Sequence, residues 1–308
     1  MKTLVSTKGM SREDWLEFRN TGIGGSDVSV ICGLNKYKSV VELWMEKSNN
    51  IEASEAGEAA YWGSCMEPLI RNEFTKRTGL DVEIQESIFQ HPEHDFMLAN
   101  LDGIIHHPEH GDCVFEAKTS SVYRVAEWED KIPDEYMLQI QHYMAVTGLD
   151  TAFVAVLIGG NEFRYYCIER DEELINMLIT LETEFWENVV NHEMPAVDGS
   201  DACAKTLLGM FPTSNETQTV LPDEASDLIT QYETASASEK AAGELKDEAS
   251  NKLKQMLGDF ETGVSASRIV SWKSVITERL DSKRFKAEKP ELYAEFVNTT
   301  SSRRFSIK

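Results

Sequence analysis

The sequence predicts an α/β fold. A mixed central sheet flanked by helices occupies residues 1–210, and an appendage follows. Three observations lead there. Helical and strand patterns alternate along the first 210 positions, in the order helix, mixed sheet, helix, sheet, helix. Thr151 to Ile158 is an unbroken apolar run, as expected of a strand buried on both faces. Residues 222–257 change character to a long stretch rich in Ala, Glu, Lys and Ser with sparse apolar positions, which reads as a helical arm and not a second core.

Each element follows from local signals. Ser11 and an acidic first turn start a helix over 12–19, which Gly22-Ile23-Gly24-Gly25 breaks. Ser26-Asp27 caps a second helix that stops at Gly33. Ser39-Val40-Val41-Glu42 is a capping-box pattern opening a helix through Lys47. Residues 48–58 are polar and read as loop. Trp62, Met66, Leu69, Ile70 and Phe74 recur at helical spacing over 59–78, with Pro68 in a first turn or at a kink near Glu67. Strands follow at 82–89, 96–105 and 112–118. Met137, Ile140, Met144 and Ala145 mark a helix over 134–147 that Gly148 ends. Glu162 to Ile168 pairs with the apolar strand across Gly159-Gly160, and a helix over 171–192 closes the core. Residues 211–262 hold the helical arm, and 263–308 form a small extension with one or two short strands and a basic, partly helical end.

The chain of 308 residues, 41% hydrophobic and 27% charged, can bury a sizeable core. No apolar run reaches the roughly 18 residues of a membrane span, and the N-terminus lacks the apolar core of a signal peptide. Five cysteines stand singly with no C-x-x-C, which disfavours a disulfide scaffold, a zinc ribbon or a clustered iron–sulfur site and points to a reduced, cytoplasmic compartment. The net charge of −23 argues against nucleic-acid binding through a broad positive field. The charge is uneven: residues 1–210 hold 16 Lys+Arg against 37 Asp+Glu, whereas residues 264–308 hold 10 against 5.

The chemistry concentrates between Leu98 and Lys118. Asp102 precedes a short polar turn, and Glu116-Ala117-Lys118 follows it. Side chains alternate across a strand, so Glu116 and Lys118 share one face. A hairpin symmetric about Glu109 sets Asp102 opposite Glu116, with Cβ atoms roughly 4.5–5.5 Å apart. Two carboxylates that close repel unless a cation lies between them. The repeated His91-Pro92-Glu93-His94 and His107-Pro108-Glu109-His110 fall at turns and are read as surface residues, not as a zinc site.

Four blocks in fixed order resemble the YqaJ-like viral recombinase family of lambda-type alkaline exonucleases. They are Arg19-Asn20-Thr21-Gly22-Ile23-Gly24-Gly25-Ser26-Asp27, then Trp62-Gly63-Ser64-Cys65-Met66-Glu67-Pro68, then Asn100-Leu101-Asp102-Gly103 with Glu116-Ala117-Lys118, then Tyr136-Met137-Leu138-Gln139-Ile140-Gln141-His142-Tyr143. The resemblance implies a PD-(D/E)xK, restriction-endonuclease-like core. Leu101 replaces the proline of that superfamily's motif, a turn residue that ligates nothing.

The resemblance also implies a Mg²⁺-dependent 5′-to-3′ exonuclease acting on linear double-stranded DNA, with Mn²⁺ as the alternative ion. Asp102, Glu116 and the Ala117 carbonyl would hold one ion, and Glu67 a second ion or its water. Lys118 and Gln139 would act on the attacking water or the scissile phosphate, with Tyr136 beside them. Arg19, Ser26 and Arg124 would hold the 5′-terminal phosphate; Arg124 lies six residues after Lys118, an offset shared with the lambda-type relative. Trp128, in an expected loop, is a candidate for the DNA channel. The implied partners are duplex ends, a single-strand annealing protein of the RecT or beta type, and further copies of the chain in a ring, a trimer among the options. The rivals are an endonuclease of restriction or junction-resolving type and a non-catalytic DNA-end-binding scaffold.

Overall fold

The computed structural model describes residues 1–48, 51, 57–215, 217–298 and 302–307. The chain divides into two units, Met1–Met210 and Phe211–Lys308. Of the loop expected over 48–58, only Ser48, Ile51, Gly57 and Glu58 are among the described residues, and Glu58 already begins a helix.

The first unit runs β1 (Lys2–Ser6), α1 (Arg12–Asn20), β2 (Ile23–Gly24), α2 (Gly25–Ile31), α3 (Val40–Lys47) and α4 (Glu58–Thr78). Then come β3 (Val82–Glu83), β4 (Ser87–Gln90), β5 (Met97–Asn100), β6 (Gly103–His107) and β7 (Gly111–Ser120). A 3₁₀ turn over Val122–Trp128 leads to α5 (Asp134–Thr147), β8 (Thr151–Ile158), β9 (Glu162–Glu169), α6 (Glu172–Val190) and α7 (Asp201–Met210). Ser11 and Ser39 cap α1 and α3 by accepting from the Asp14 and Glu42 amides. At α2 the cap differs from expectation. Gly24 is the N-cap, and the Asp27 carboxylate accepts from its N–H at 3.0 Å, so Ser26 is left free for other partners. Pro68 lies in the interior of α4.

The sequence predicts single strands over 82–89 and 96–105, yet the chain breaks both and deals the pieces to two mixed sheets. One has the order β3-β6-β7-β8-β9, the other β1-β4-β5-β2. In the first, β7 and β8 run parallel and the other neighbours antiparallel. The second break falls at Leu101-Asp102: β5 ends at Asn100 in one sheet, and β6 starts at Gly103 in the other. Gly103 is required there, because a Cβ would lie 2.3 Å from Val82 Cγ1 and 3.0 Å from the Glu83 carbonyl oxygen.

The β6–β7 register runs from Gly103↔Phe115 to His107↔Gly111, which centres the hairpin on Glu109. Both His-Pro-Glu-His turns use the first ring as a cap: His91 Nδ1 accepts from the Glu93 and His94 amides, and His107 Nδ1 from those of Glu109 and His110.

Helices cover the five-stranded sheet on both faces. Ile70 and Phe74 of α4 pack on Ile105, Cys113, Phe115 and Phe153. Leu138, Ile140 and Met144 of α5, with α2 and α6 beyond, pack on Val114, Val154 and Val156. Burying these side chains at roughly 1.5–3 kcal/mol each supplies the unit's main stabilisation. Glu116 and Lys118 share the α5 face with Val114, as the two-residue period requires. Trp128 is 0% exposed and donates its indole N–H to Ser120 Oγ, so it belongs to the core and cannot line a channel.

The second unit holds α8 (Ala225–Leu257), the hairpin β10 (Thr262–Ser265) and β11 (Arg268–Ser271), α9 (Ser282–Glu288) and α10 (Pro290–Glu295).

Candidate active site

The parting of β5 and β6 builds the site. Asp102 sits in the turn between the two sheets, where its Oδ2 accepts from the Ala117 N–H at 2.8 Å. Within a strand, the N–H and C=O of one residue point the same way. The Ala117 carbonyl therefore also points to the edge that β6 vacates, next to Asp102. Glu116 is 4% exposed and lies opposite Asp102 in the continued register. Its Oε1 is heavily used, accepting from Lys118 Nζ at 2.6 Å and from Gln139 Nε2 at 2.8 Å. Its Oε2 is buried and has no partner.

Helix α5 completes the polar cluster from above. Gln139 Oε1 accepts from Lys118 Nζ at 2.9 Å, and Gln139 Nε2 also donates to the Tyr143 hydroxyl at 2.9 Å. Lys118 Nζ stands 5.0 Å from the Tyr136 ring centroid. Tyr136, Gln139 and Tyr143 stand three and four residues apart, on one face of the helix. Gln141 points elsewhere and ties β9 to α6, donating to the Glu169 carbonyl and accepting from the Asp171 amide.

The electrostatics are those of two acids forced together. Burial, and then the Asp102 charge, push the Glu116 carboxyl up to about 8 against the pull of Lys118. Burial raises Asp102 too, although Lys118, the Ala117 amide and Arg71 draw it down. Burial opposes the Lys118 ammonium, but Glu116 and Asp102 outweigh it and lift its pKa above the ordinary value. Glu67 is raised by burial and by Asp102, and its Oε1 is taken by Arg71 Nη1 at 3.2 Å, which also donates to the Asp102 carbonyl. Among the described residues no three His, Cys, Asp or Glu side chains converge as a metal site. The structure therefore gathers Asp102, Glu116 and the Ala117 carbonyl, with Glu67 held aside by Arg71. That set fits a hard divalent cation: every group is an oxygen, Glu116 is buried and Asp102 half-buried, and one Glu116 oxygen has no other partner.

The three residues expected at a terminal phosphate are not brought together. Arg19 Nη2 donates to Ser26 Oγ at 2.6 Å and stands 3.5 Å from Asp27. Arg124 instead pairs with Glu127 and Glu135, its guanidinium 6.0 Å from the Tyr136 ring centroid, and lines neither cavity described below. Its neighbours explain this, since two carboxylates within reach neutralise one guanidinium.

A cavity of about 170 Å³ joins Arg19, Gly24, Gly25 and Ser26 to Gln139 and Tyr143. Gly25 makes that closeness possible, because a Cβ there would lie 2.5 Å from the Tyr143 ring. A larger cavity of about 830 Å³ lies on the other side of Arg19 and Trp15.

Sequence reasoning missed Lys47, whose 2% exposed side chain holds Asp27 at 2.8 Å and donates to the Arg19 carbonyl. Burial opposes the Asp27 charge, but Lys47 and Arg19 keep its carboxyl below the usual range. It also missed Arg71 and Tyr143. The spacing of Tyr143 from Gln139 was the available signal; nothing local marked Lys47.

The family model for the YqaJ-like viral recombinase domain matches residues 14–150. A relative from Bacillus subtilis (strain 168), the uncharacterized protein YqaJ, is 40% identical over 317 aligned positions, covering 100% of this chain and 97% of the relative. The chain belongs to the YqaJ-like viral recombinase family. Among solved structures, this YqaJ-like chain is similar to the alkaline exonuclease LHK-Exo from Laribacter hongkongensis, with a TM-score of 0.49 and 20% identity over 65% of this chain and 100% of that one. It is also similar to a phage-related exonuclease from Haemophilus somnus 129PT, with a TM-score of 0.45 and 15% identity over 58% of this chain and 99% of that one. No described helix of the YqaJ-like chain is long and apolar enough to cross a membrane.

Proposed function

We propose that this YqaJ-like protein is a metal-dependent 5′-to-3′ exonuclease that degrades linear double-stranded DNA and leaves 3′ single strands for recombination by strand annealing. The observation that carries this reading is the facing of half-buried Asp102 and buried Glu116 across the strand register, with Glu116 Oε2 unpartnered. A divalent ion held by Asp102, Glu116 and the Ala117 carbonyl, Mg²⁺ by its preference for hard oxygen ligands or Mn²⁺ in its place, would supply positive charge to the scissile phosphate. Glu67 serves a second ion only by giving up Arg71.

The remaining work belongs to the chain's own groups. Lys118, held by Glu116 Oε1 and Gln139 Oε1, is placed to stabilise charge building on the phosphate or to orient the attacking water. Gln139 bridges Lys118 and Glu116 and fixes both side chains. Arg19 and Ser26 hold the 5′-terminal phosphate, and the cavity running from them to Gln139 supports that placement. Tyr136 presents its ring to Lys118, and Arg124 could meet DNA only by giving up Glu127 and Glu135. Family membership supports a RecT- or beta-type annealing partner and a ring of several copies, which would keep an acidic subunit on an anionic polymer.

The test is a digestion series. Linear duplex with 5′-phosphates should be resected with Mg²⁺ and untouched in EDTA, while covalently closed circles survive. Cleavage of closed circles would favour the endonuclease, and end binding without digestion the scaffold. Duplexes with 5′-hydroxyl ends should start at least about tenfold more slowly, as expected on losing a charge-assisted contact; equal initial rates would remove Arg19 and Ser26 from the terminal phosphate.

A further inference from the structure

The cations of residues 1–210 and those of residues 268–304 are used differently. Of the sixteen Lys and Arg residues in 1–210, eleven have a carboxylate within ion-pair distance among the described residues. Nine stand between Arg268 and Arg304, all exposed, and among the described residues only Arg284 has such a partner, Glu288. Positive charge in this extension is therefore left free, in a protein whose net charge is −23.

Aromatic side chains are interleaved with that charge and stand in solvent. Trp272 is 51% exposed beside Lys273, and Phe296 is 75% exposed. Phe305, beside Arg303 and Arg304, is 74% exposed although it packs edge-on against Tyr232. The extension is long. It starts where Val270 and Trp272 meet Leu253 and Leu257 near the C-terminal end of α8, and it reaches Tyr232 near the other end of that helix. At 1.5 Å of rise per residue, Tyr232 and Leu253 are roughly 30 Å apart.

We propose that residues 268–298 and 302–305 form a binding surface for single-stranded DNA. Free, exposed Lys and Arg suit a phosphate backbone, and exposed aromatic faces interleaved with them in the chain suit unpaired bases, which a duplex keeps stacked. The absence of a broad positive field elsewhere makes this strip the place where a flexible anionic strand is attracted. The proposal rests on the exonuclease reading only for the source of the strand, which would be the 3′ single strand that resection leaves.

The test uses the full-length protein in EDTA and a ligated circular single strand as the probe. A circle has no ends and no ion is present, so failure of the exonuclease reading does not affect the result. Fluorescence anisotropy should show binding that weakens with salt, the logarithmic slope giving about 0.7 per phosphate contact. Reversing charge at K273E, R279E, K283E and K286E together should weaken binding at least about tenfold and shrink the slope, as the loss of several phosphate contacts requires. W272A should weaken it several-fold and leave the slope unchanged. The wild-type slope and W272A guard against misfolding of the quadruple variant. The proposal fails if the circular strand is not bound, if charge reversal leaves affinity and slope as they were, or if a closed duplex circle binds as tightly as the single-stranded one.

Discussion

The two ends of the β6–β7 hairpin carry polar pairs in the same register and solve them in opposite ways. Near the turn, His106 faces Asp112, with Nδ1 at 2.7 Å from Oδ1 and Nε2 at 2.9 Å from Glu83 Oε2. That cluster is exposed, and opposite charges meet. At the open end, Asp102 faces Glu116; both groups are acids, and Glu116 is buried. One backbone geometry accommodates both pairs, so the strand ladder does not dictate the chemistry. The exposed pair adds a small stabilisation. The pair built on buried Glu116 costs stability in the absence of a cation, and such a cost marks a functional position.

The largest expected difference between the two ends is in activity. K118A should lower digestion of linear duplex by on the order of 10²–10³-fold or more, as for removal of a group that stabilises transition-state charge. H106A should leave the initial rate within about twofold, as for a surface change away from the site. Comparable losses in both would break the comparison.

The next effect is on stability. The folded Glu116 carboxyl titrates at about 8 against an ordinary 4.5, so between these values the native state holds a proton that the unfolded chain has released. Stability of the chelated wild type should therefore fall as pH rises through that window. E116Q removes that slope and should be more stable near the top of it, by up to about 4 kcal/mol. Thermal melts in EDTA across the window check the sign; a shared slope in wild type and E116Q would contradict it. Added Mg²⁺ should raise the wild-type Tm and leave E116Q nearly unmoved.

The smallest effect belongs to His106. Its hydrogen bond to Asp112, then that to Glu83, raise its pKa. Its contribution is thus present in acid and fades as pH rises through the folded value. H106Q should lower the Tm slightly near about pH 5 and leave it unchanged near about pH 9.

Several features of the site were legible in the sequence. The symmetric register about Glu109, the shared face of Glu116 and Lys118, and the orientation of Gln139 toward them all follow from the repeat of strand and helix, which is set by the backbone alone. The His-Pro-Glu-His repeats were legible as turns, and the ring-to-amide hydrogen bonds give the reason both copies carry histidine first. The split of 82–89 and 96–105 between two sheets was not legible, because each half satisfies the same two-residue period and nothing local says which neighbour it will pair with. Trp128 was read as a loop residue because the 3₁₀ turn that buries it has no apolar period of its own.

By itself, then, the sequence determined which faces carry acids, amides and the lysine, and that the extension beyond residue 264 is basic. Only the tertiary structure decided that Glu67 is held by Arg71, that Arg124 is taken by Glu127 and Glu135, and that Lys47 stands behind Asp27 and Arg19. The physical reason is range. Periodicity and capping act over a few residues along the chain, whereas the partner of a buried charge is whichever opposite charge the packing brings within a few ångströms, at any separation in sequence.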